Sequence, residues 1–357
     1  MKVCILGNGL TSLTLAKALV NQGIYVDLYL NKKNTNFDKT RTIGISKSNI
    51  EFFNNNILNI DKYLWDINKI EILSEKLKNK KILNFENKNL TLFSIFQNFK
   101  LYNLLFLKLK KSGYIKFKKD FDSYDVLKKK YSLIINCDFS NQITKKFFNK
   151  KFTKNYKSYA HTTIINHQKL KNNKTACQIF TKKGPLAFLP ISENKTSVVF
   201  SAKGSKKIDI ISFIKKNNTK YEIKQFSNPI SFELKLFNLR SYYHKNILAF
   251  GDLLHKIHPL AGQGFNMSIR DISELLKLIK FKKEHGLDVD KSVCIDFEKK
   301  MRHRNFIFSS GVDFIYEFFN FDSKIKNNIL NNSIQLIDKN KNINQLINKI
   351  ADRGIIF

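Results

Sequence analysis

Two glycine-bearing segments hold the residues whose types and spacing could do chemistry. The first, Gly7-Asn8-Gly9-Leu10-Thr11-Ser12, follows the apolar run Lys2 to Leu6 and precedes Leu13, Leu15, Ala16, Leu19 and Val20 at helical spacing. A glycine at position 7 permits a tight bend, and one at position 9 lets the backbone approach a pyrophosphate. The helix beyond turns its positive end toward that charge. Ser12 stands where a glycine or alanine usually keeps helix and strand close, and it is small enough to do the same. The acid that would accept ribose hydroxyls about 20 residues further on is missing. Leu30 and Asn31 occupy that place, and Asp27 falls too early in its strand.

The second segment reads Gly251-Asp252-Leu253-Leu254-His255-Lys256-Ile257-His258-Pro259-Leu260-Ala261-Gly262-Gln263-Gly264-Phe265-Asn266. Asp252, at the carboxyl end of an expected strand, suits the hydroxyls of a ribitol chain. Gly262 and Gly264 let backbone amides reach the edge of a flavin ring. A helix expected from about Asn266 would stabilise the negative charge that builds on such a ring when it is reduced. Together the two segments predict a non-covalently bound FAD in a two-part site. His255 and His258 lack a third ligand and a general-base glutamate, so they are read as structural hydrogen-bonding groups and no metal is expected. Cys4, Cys137, Cys177 and Cys294 are far apart without CxxC spacing and are read as core thiols.

The elements that must position these residues follow from apolar periodicity. Lys2 to Leu6, the helix after it and a strand from Ile24 to Leu30 form a strand, turn, helix, strand unit of the dinucleotide-binding kind. Tyr131 to Cys137 is an apolar run expected to return to the same sheet, with Asp138 at its carboxyl end. Four extended segments (Tyr159 to His167, Thr175 to Phe180, Gly184 to Ile191, Thr196 to Ala202) suggest an antiparallel sheet. Asn246 to Phe250 is a strand that delivers Gly251. Residues 31–90 are polar and show few elements beyond a helix from Ser48 to Asn55. The expected class is α/β with an α+β second domain: a Rossmann-like FAD-binding domain (1–155 and 240–290), an antiparallel β-sheet substrate domain (156–239) and a C-terminal helical segment (291–357). Part of 50–95 is open to assignment to the substrate domain.

The second segment resembles the FAD motif of the aromatic-ring flavoprotein monooxygenases, with a p-hydroxybenzoate hydroxylase-like fold, and most closely their ubiquinone-biosynthesis hydroxylase branch. The resemblance includes Gly7 to Ser12, Arg41-Thr42-Ile43-Gly44-Ile45-Ser46, the run Phe180 to Pro190 and the terminal helices, while residues 55–95 match poorly. It implies that Gly7, Gly9 and Ser12, with Leu10 in the same turn, hold the pyrophosphate and that Arg41 supports the phosphates. Asp252 with Gly251 would bind the ribitol, and Pro259, Gly262, Gly264, Phe265 and Asn266 would flank the isoalloxazine. Asp138 keeps the acid of a further cofactor motif whose glycine is replaced by Phe139, in the region where a nicotinamide approaches. The implied activity is hydroxylation of an aromatic ring, a prenylated phenol or benzoquinone precursor in ubiquinone biosynthesis. It would use NADPH or NADH, dioxygen, reduced flavin and a flavin hydroperoxide. No catalytic residue is assigned, because the cofactor carries the hard chemistry. The alternatives are a catalytically idle FAD-binding subunit of a quinone-synthesis assembly and a related flavin reductase or halogenase.

The 63 Lys and Arg against 29 Asp and Glu give a formal charge of +34. The cations are spread along the chain without a recognisable nucleic-acid module, so no nucleic-acid partner is expected. A basic surface is instead drawn to anionic lipid headgroups. With no apolar run of about 20 residues and no cleavable leader pattern, the expectation is a cytoplasmic protein, peripheral at the inner face of the membrane, with quinone-synthesis proteins as possible partners.

Overall fold

The computed structural model describes residues 1–31, 39–75, 80–86, 91–119, 123–204, 208–258, 262–322 and Asp352. Lys2–Leu6 is almost wholly buried and apolar, which suits an interior strand of a parallel sheet. It pairs in parallel with Tyr25–Tyr29 on one side and Leu133–Asn136 on the other. Ile115–Lys118 and Ile247–Ala249 extend the sheet in parallel, and Tyr243–His244 adds an antiparallel edge to make six strands. The register sets Leu6 beside both Tyr29 and Asn136, and Ala249 beside Asn136. Four carboxyl ends therefore finish level, and the turns at Gly7, Asn31, Asp138 and Gly251 emerge along one edge, where open α/β sheets take their ligands.

Inside this sheet the carboxylate of Asp27 is fully buried. Its Oδ2 meets Lys2 Nζ at 2.9 Å and Lys118 Nζ at 2.8 Å, and it accepts a hydrogen bond from the Tyr131 hydroxyl. Burial opposes its ionisation, yet the hydrogen bonds from Lys118, Tyr131 and Lys2 hold it below the usual carboxylate range. A carboxylate with a depressed folded-state value adds stability above its unfolded value of about 3.9 and loses it as the pH falls through the folded one. Asp27→Ala is expected to lower unfolding free energy by about 2 kcal/mol at neutral pH. Denaturant melts should show this difference shrinking in acid.

The second sheet has nine strands, with Ile230–Leu239, Lys151–His167, Lys195–Lys203, Gly184–Pro190 and Thr175–Thr181 in that spatial order and antiparallel pairing. Lys151–His167 begins eight residues before the expected Tyr159, and a bulge between Asn155 and Ser158 bends it. Lys69–Ser74 adds in parallel to Thr175–Thr181, followed by Lys80–Glu86, so part of the polar 50–95 region lies in this sheet. A third, three-stranded sheet joins Thr42–Ser46, Phe93–Gln97 and Trp65–Ile67. His255–Lys256 pairs with Ile230–Leu239, so the second glycine segment leaves the first sheet at Ala249 and enters the second at His255. The helices Gln263–Glu284 and Lys291–Asp322 follow. No described helix is long and apolar enough to cross a membrane.

Candidate cofactor site

The turn after the first strand is built as its glycines require. Gly7 is buried at φ +105°, its N–H donates to Tyr29 O at 3.0 Å, and a Cβ there would stand 3.3 Å from Asp138 N and Cβ. Gly9 is the N-cap of the helix Leu10–Asn21; a Cβ there would meet nothing within 4 Å. Among the described residues no side chain caps this helix, so its first amides are left to the open side of the turn. Ser12 is fully buried, and burial pushes the Cys137 thiol at the end of the neighbouring strand up to about 12. Helix and strand therefore stay close without the third glycine.

Gly251 brings the second segment onto the first. At φ +63° it packs against Thr11 in the first turn of the Leu10–Asn21 helix, where a Cβ would come within 2.9 Å of Thr11 Cγ2. Asp252 follows, exposed, its carboxylate bonded to no described residue. Gly262 (φ +65°) is the N-cap of Gln263–Glu284, which therefore begins before the expected Asn266. A Cβ on Gly262 would lie 2.9 Å from Gly44 N. Gly264 is crowded by nothing nearer than Ile257 at 3.9 Å. Pro259 lies outside the described residues, and Phe265 is half-buried against the main core.

Asn266 is buried and committed to the protein. Its Nδ2 donates to Gly44 O at 3.0 Å, and its Oδ1 accepts from Ser46 N at 3.2 Å and Asn49 Nδ2 at 3.0 Å. Its side chain thus clamps the second glycine loop to the strand Thr42–Ser46 and the helix Lys47–Asn56. Arg41, one residue before that strand, is exposed, with its guanidinium 5.0 Å from the Phe232 ring of the second sheet.

At the adjoining strand ends, Asp138 accepts from Asn31 Nδ2 at 3.0 Å through Oδ2 and from the Ser140 amide and hydroxyl at 2.8 Å through Oδ1. Asn31 N in turn donates to Asn8 Oδ1 at 3.3 Å. A carboxylate from the turn after Leu133–Asn136 thus stands beside Asn31 at the end of Tyr25–Tyr29. Sequence reasoning placed both residues but not their contact, since nothing in their spacing marks it. Phe139 is exposed and meets Phe237 edge-on at 5.7 Å.

The two histidines of the loop diverge. His255 Nε2 lies 2.6 Å from Asp271 Oδ2, both buried, while Asn305 Nδ2 donates to Asp271 Oδ1 at 2.9 Å. His258 stacks on Tyr316 at 4.1 Å and meets Tyr156 edge-on at 5.1 Å. Burial pushes its titration down to about 3. No three His, Cys, Asp or Glu side chains group as a metal site among the described residues. Of the cysteines, Cys4 and Cys294 are buried and Cys137 and Cys177 half-buried.

No family model matches the chain. It is similar to the ubiquinone biosynthesis monooxygenase COQ6 of Schizosaccharomyces pombe, 24% identical over 273 residues, covering 62% of this chain and 57% of that protein. It is also similar to the 3-demethoxyubiquinol 3-hydroxylase of Escherichia coli, 29% identical over 150 residues, 39% and 38% of the two chains. The chain thus spans about half the length, or less, of these curated relatives. Among solved structures, Klebsiella pneumoniae HpxO complexed with FAD and uric acid superposes with TM-score 0.73 at 12% identity, covering 99% of this chain and 96% of that one. The chain has the fold of the FAD-dependent aromatic-ring monooxygenases, and its relatives by sequence are monooxygenases and hydroxylases of ubiquinone biosynthesis.

Proposed function

We propose that the chain is an FAD-dependent monooxygenase that hydroxylates an aromatic ring, with a prenylated phenol or benzoquinone precursor of ubiquinone as its substrate class. The observation that carries this reading is the packing of Gly251 on Thr11, which joins both glycine segments at one uncapped helix N-terminus. The residues present fit FAD: Gly9 leaves space where a side chain would intrude, and Asp252 offers an exposed carboxylate beside it.

When bound, FAD would supply the two-electron and dioxygen chemistry that no side chain provides. Gly7, Gly9, Leu10 and Ser12 would seat the pyrophosphate, Arg41 would support the phosphates, and Asn31 with Asp138 would take the adenosine ribose. Gly251 and Asp252 would hold the ribitol. Gly262, Gly264 and Phe265 would border the ring, while Asn266 holds that loop to Thr42–Ser46. In this reading residues 1–155 and 240–290 form the FAD-binding part and 156–239, with Lys69–Ser74 and Lys80–Glu86, the substrate part.

NADPH or NADH is the proposed reductant, approaching past Phe139. A prenylated substrate and a charge of +34 support work at an anionic membrane surface, beside other quinone-synthesis proteins. Purified protein supplied with FAD, a reduced nicotinamide, dioxygen and a prenylated phenol should convert the phenol to a product carrying one more oxygen atom. The phenol should also accelerate nicotinamide oxidation at least tenfold. Bound FAD that neither nicotinamide reduces would replace this reading with that of a catalytically idle FAD-binding subunit.

A further inference from the structure

The helix Lys47–Asn56 starts at Ser46, whose side chain caps none of its amides. The acceptor comes from the far end of the chain: Ser48 N donates to Asp352 Oδ1 at 2.9 Å, 304 residues away. The hydroxyls of Ser46 and Ser48 both donate to Asp352 O at 2.8 Å. Ser46 is also the residue whose amide donates to Asn266 Oδ1, and its Oγ accepts from Asn49 Nδ2 at 2.9 Å. One turn along the same helix from Asn266, Arg270 is held down to about 10 by burial, with Asp271 and Asp352 acting against that shift. Asp352 therefore holds both the end of the strand that carries Ser46 and the first turn of the helix that carries Ser48, next to the Asn266 clamp.

We propose that Asp352 is a positioning residue that holds the Asn266 clamp, and through it the loop at Gly262, from the end of the chain. The inference rests on the reading that this loop borders the ring of FAD. A carboxylate at a helix N-terminus both satisfies an orphan amide and complements the helix dipole. Here its backbone carbonyl also accepts from both serine hydroxyls, Ser46 at the end of the strand bound to Asn266 and Ser48 in the first turn of the helix. The ring end of the site then depends on Asp352, whereas the pyrophosphate turn at Gly7, at the carboxyl ends of the six-stranded sheet, does not.

The test uses the Asp352→Ala and Asp352→Asn variants of the whole 357-residue chain. In flavin-free protein, amide hydrogen exchange at Ser48 and Ser46 should rise about fivefold in Asp352→Ala, the scale of one lost cap. It should stay near wild type in Asp352→Asn, which keeps the acceptor. FAD should bind about fivefold more weakly to Asp352→Ala, while ADP, which needs only the phosphate end, binds as before. Unchanged exchange at Ser46 overturns the proposal even if FAD binds. Equal losses for FAD and ADP also overturn it, since they would report general loosening. Wild-type protein that takes up no FAD overturns the flavin reading instead, and the exchange data still decide whether Asp352 holds the clamp.

Discussion

Gly262→Ala is expected to abolish stoichiometric FAD binding and to lower stability by about 3 kcal/mol, because two independent penalties coincide at one position. The residue sits at φ +65°, which costs a residue with a Cβ about 1–2 kcal/mol. That Cβ would also stand 2.9 Å from the backbone nitrogen of Gly44. Backbone cannot rotate aside as a side chain can, and Gly44 is further pinned by the Asn266 amide on its carbonyl. Relief therefore requires the glycine loop to lift away from Thr42–Ser46. Gly264→Ala is the informative contrast. A Cβ there would meet no described atom nearer than Ile257 Cγ1 at 3.9 Å, and its backbone is helical, so stability should change by less than about 0.5 kcal/mol. Any fall in FAD affinity in that variant reports contact with the ligand. Chemical melts and FAD titration of the two variants separate the loop's own geometry from its ligand contact.

The second large effect is expected at Asp271. Its carboxylate is fully buried and takes His255 on one oxygen and Asn305 on the other, so it binds the second glycine segment, Gln263–Glu284 and Lys291–Asp322 together. Asp271→Ala leaves two buried polar groups without their acceptor and should cost about 3–5 kcal/mol of unfolding free energy. Asp271→Asn keeps an acceptor oxygen and should cost less than half as much. The strand His255–Lys256 is where this segment enters the second sheet, so FAD affinity should fall along with stability in Asp271→Ala. Stability lost with FAD affinity intact would show that the histidine pair does not shape the loop.

The parts of the fold legible in the sequence are those where local pattern and burial agree. Lys2–Leu6, Leu10–Asn21 and Leu133–Asn136 are buried on most sides, so their apolar runs state both element and sheet. The short strands between residues 42 and 86 were not legible. Lys69–Ser74 is only partly buried along most of its length and reads as polar loop, because its place in the second sheet comes from long-range pairing with Thr175–Thr181. At the site, the glycines were legible because turns and close approach admit little else. Asn266 was placed beside the ring by resemblance, but its amide faces Gly44, Ser46 and Asn49, partners more than 200 residues away that no local spacing reveals. The same holds for Asp138 meeting Asn31 and for Asp352 meeting Ser48.

The central claim is that two distant glycine segments make one FAD site, and titration of the purified protein with FAD tests it most directly. Quenching of flavin fluorescence should saturate near one FAD per chain, and Gly262→Ala should remove it. Wild-type protein that leaves FAD fluorescence and absorbance unchanged at high concentration would contradict the account.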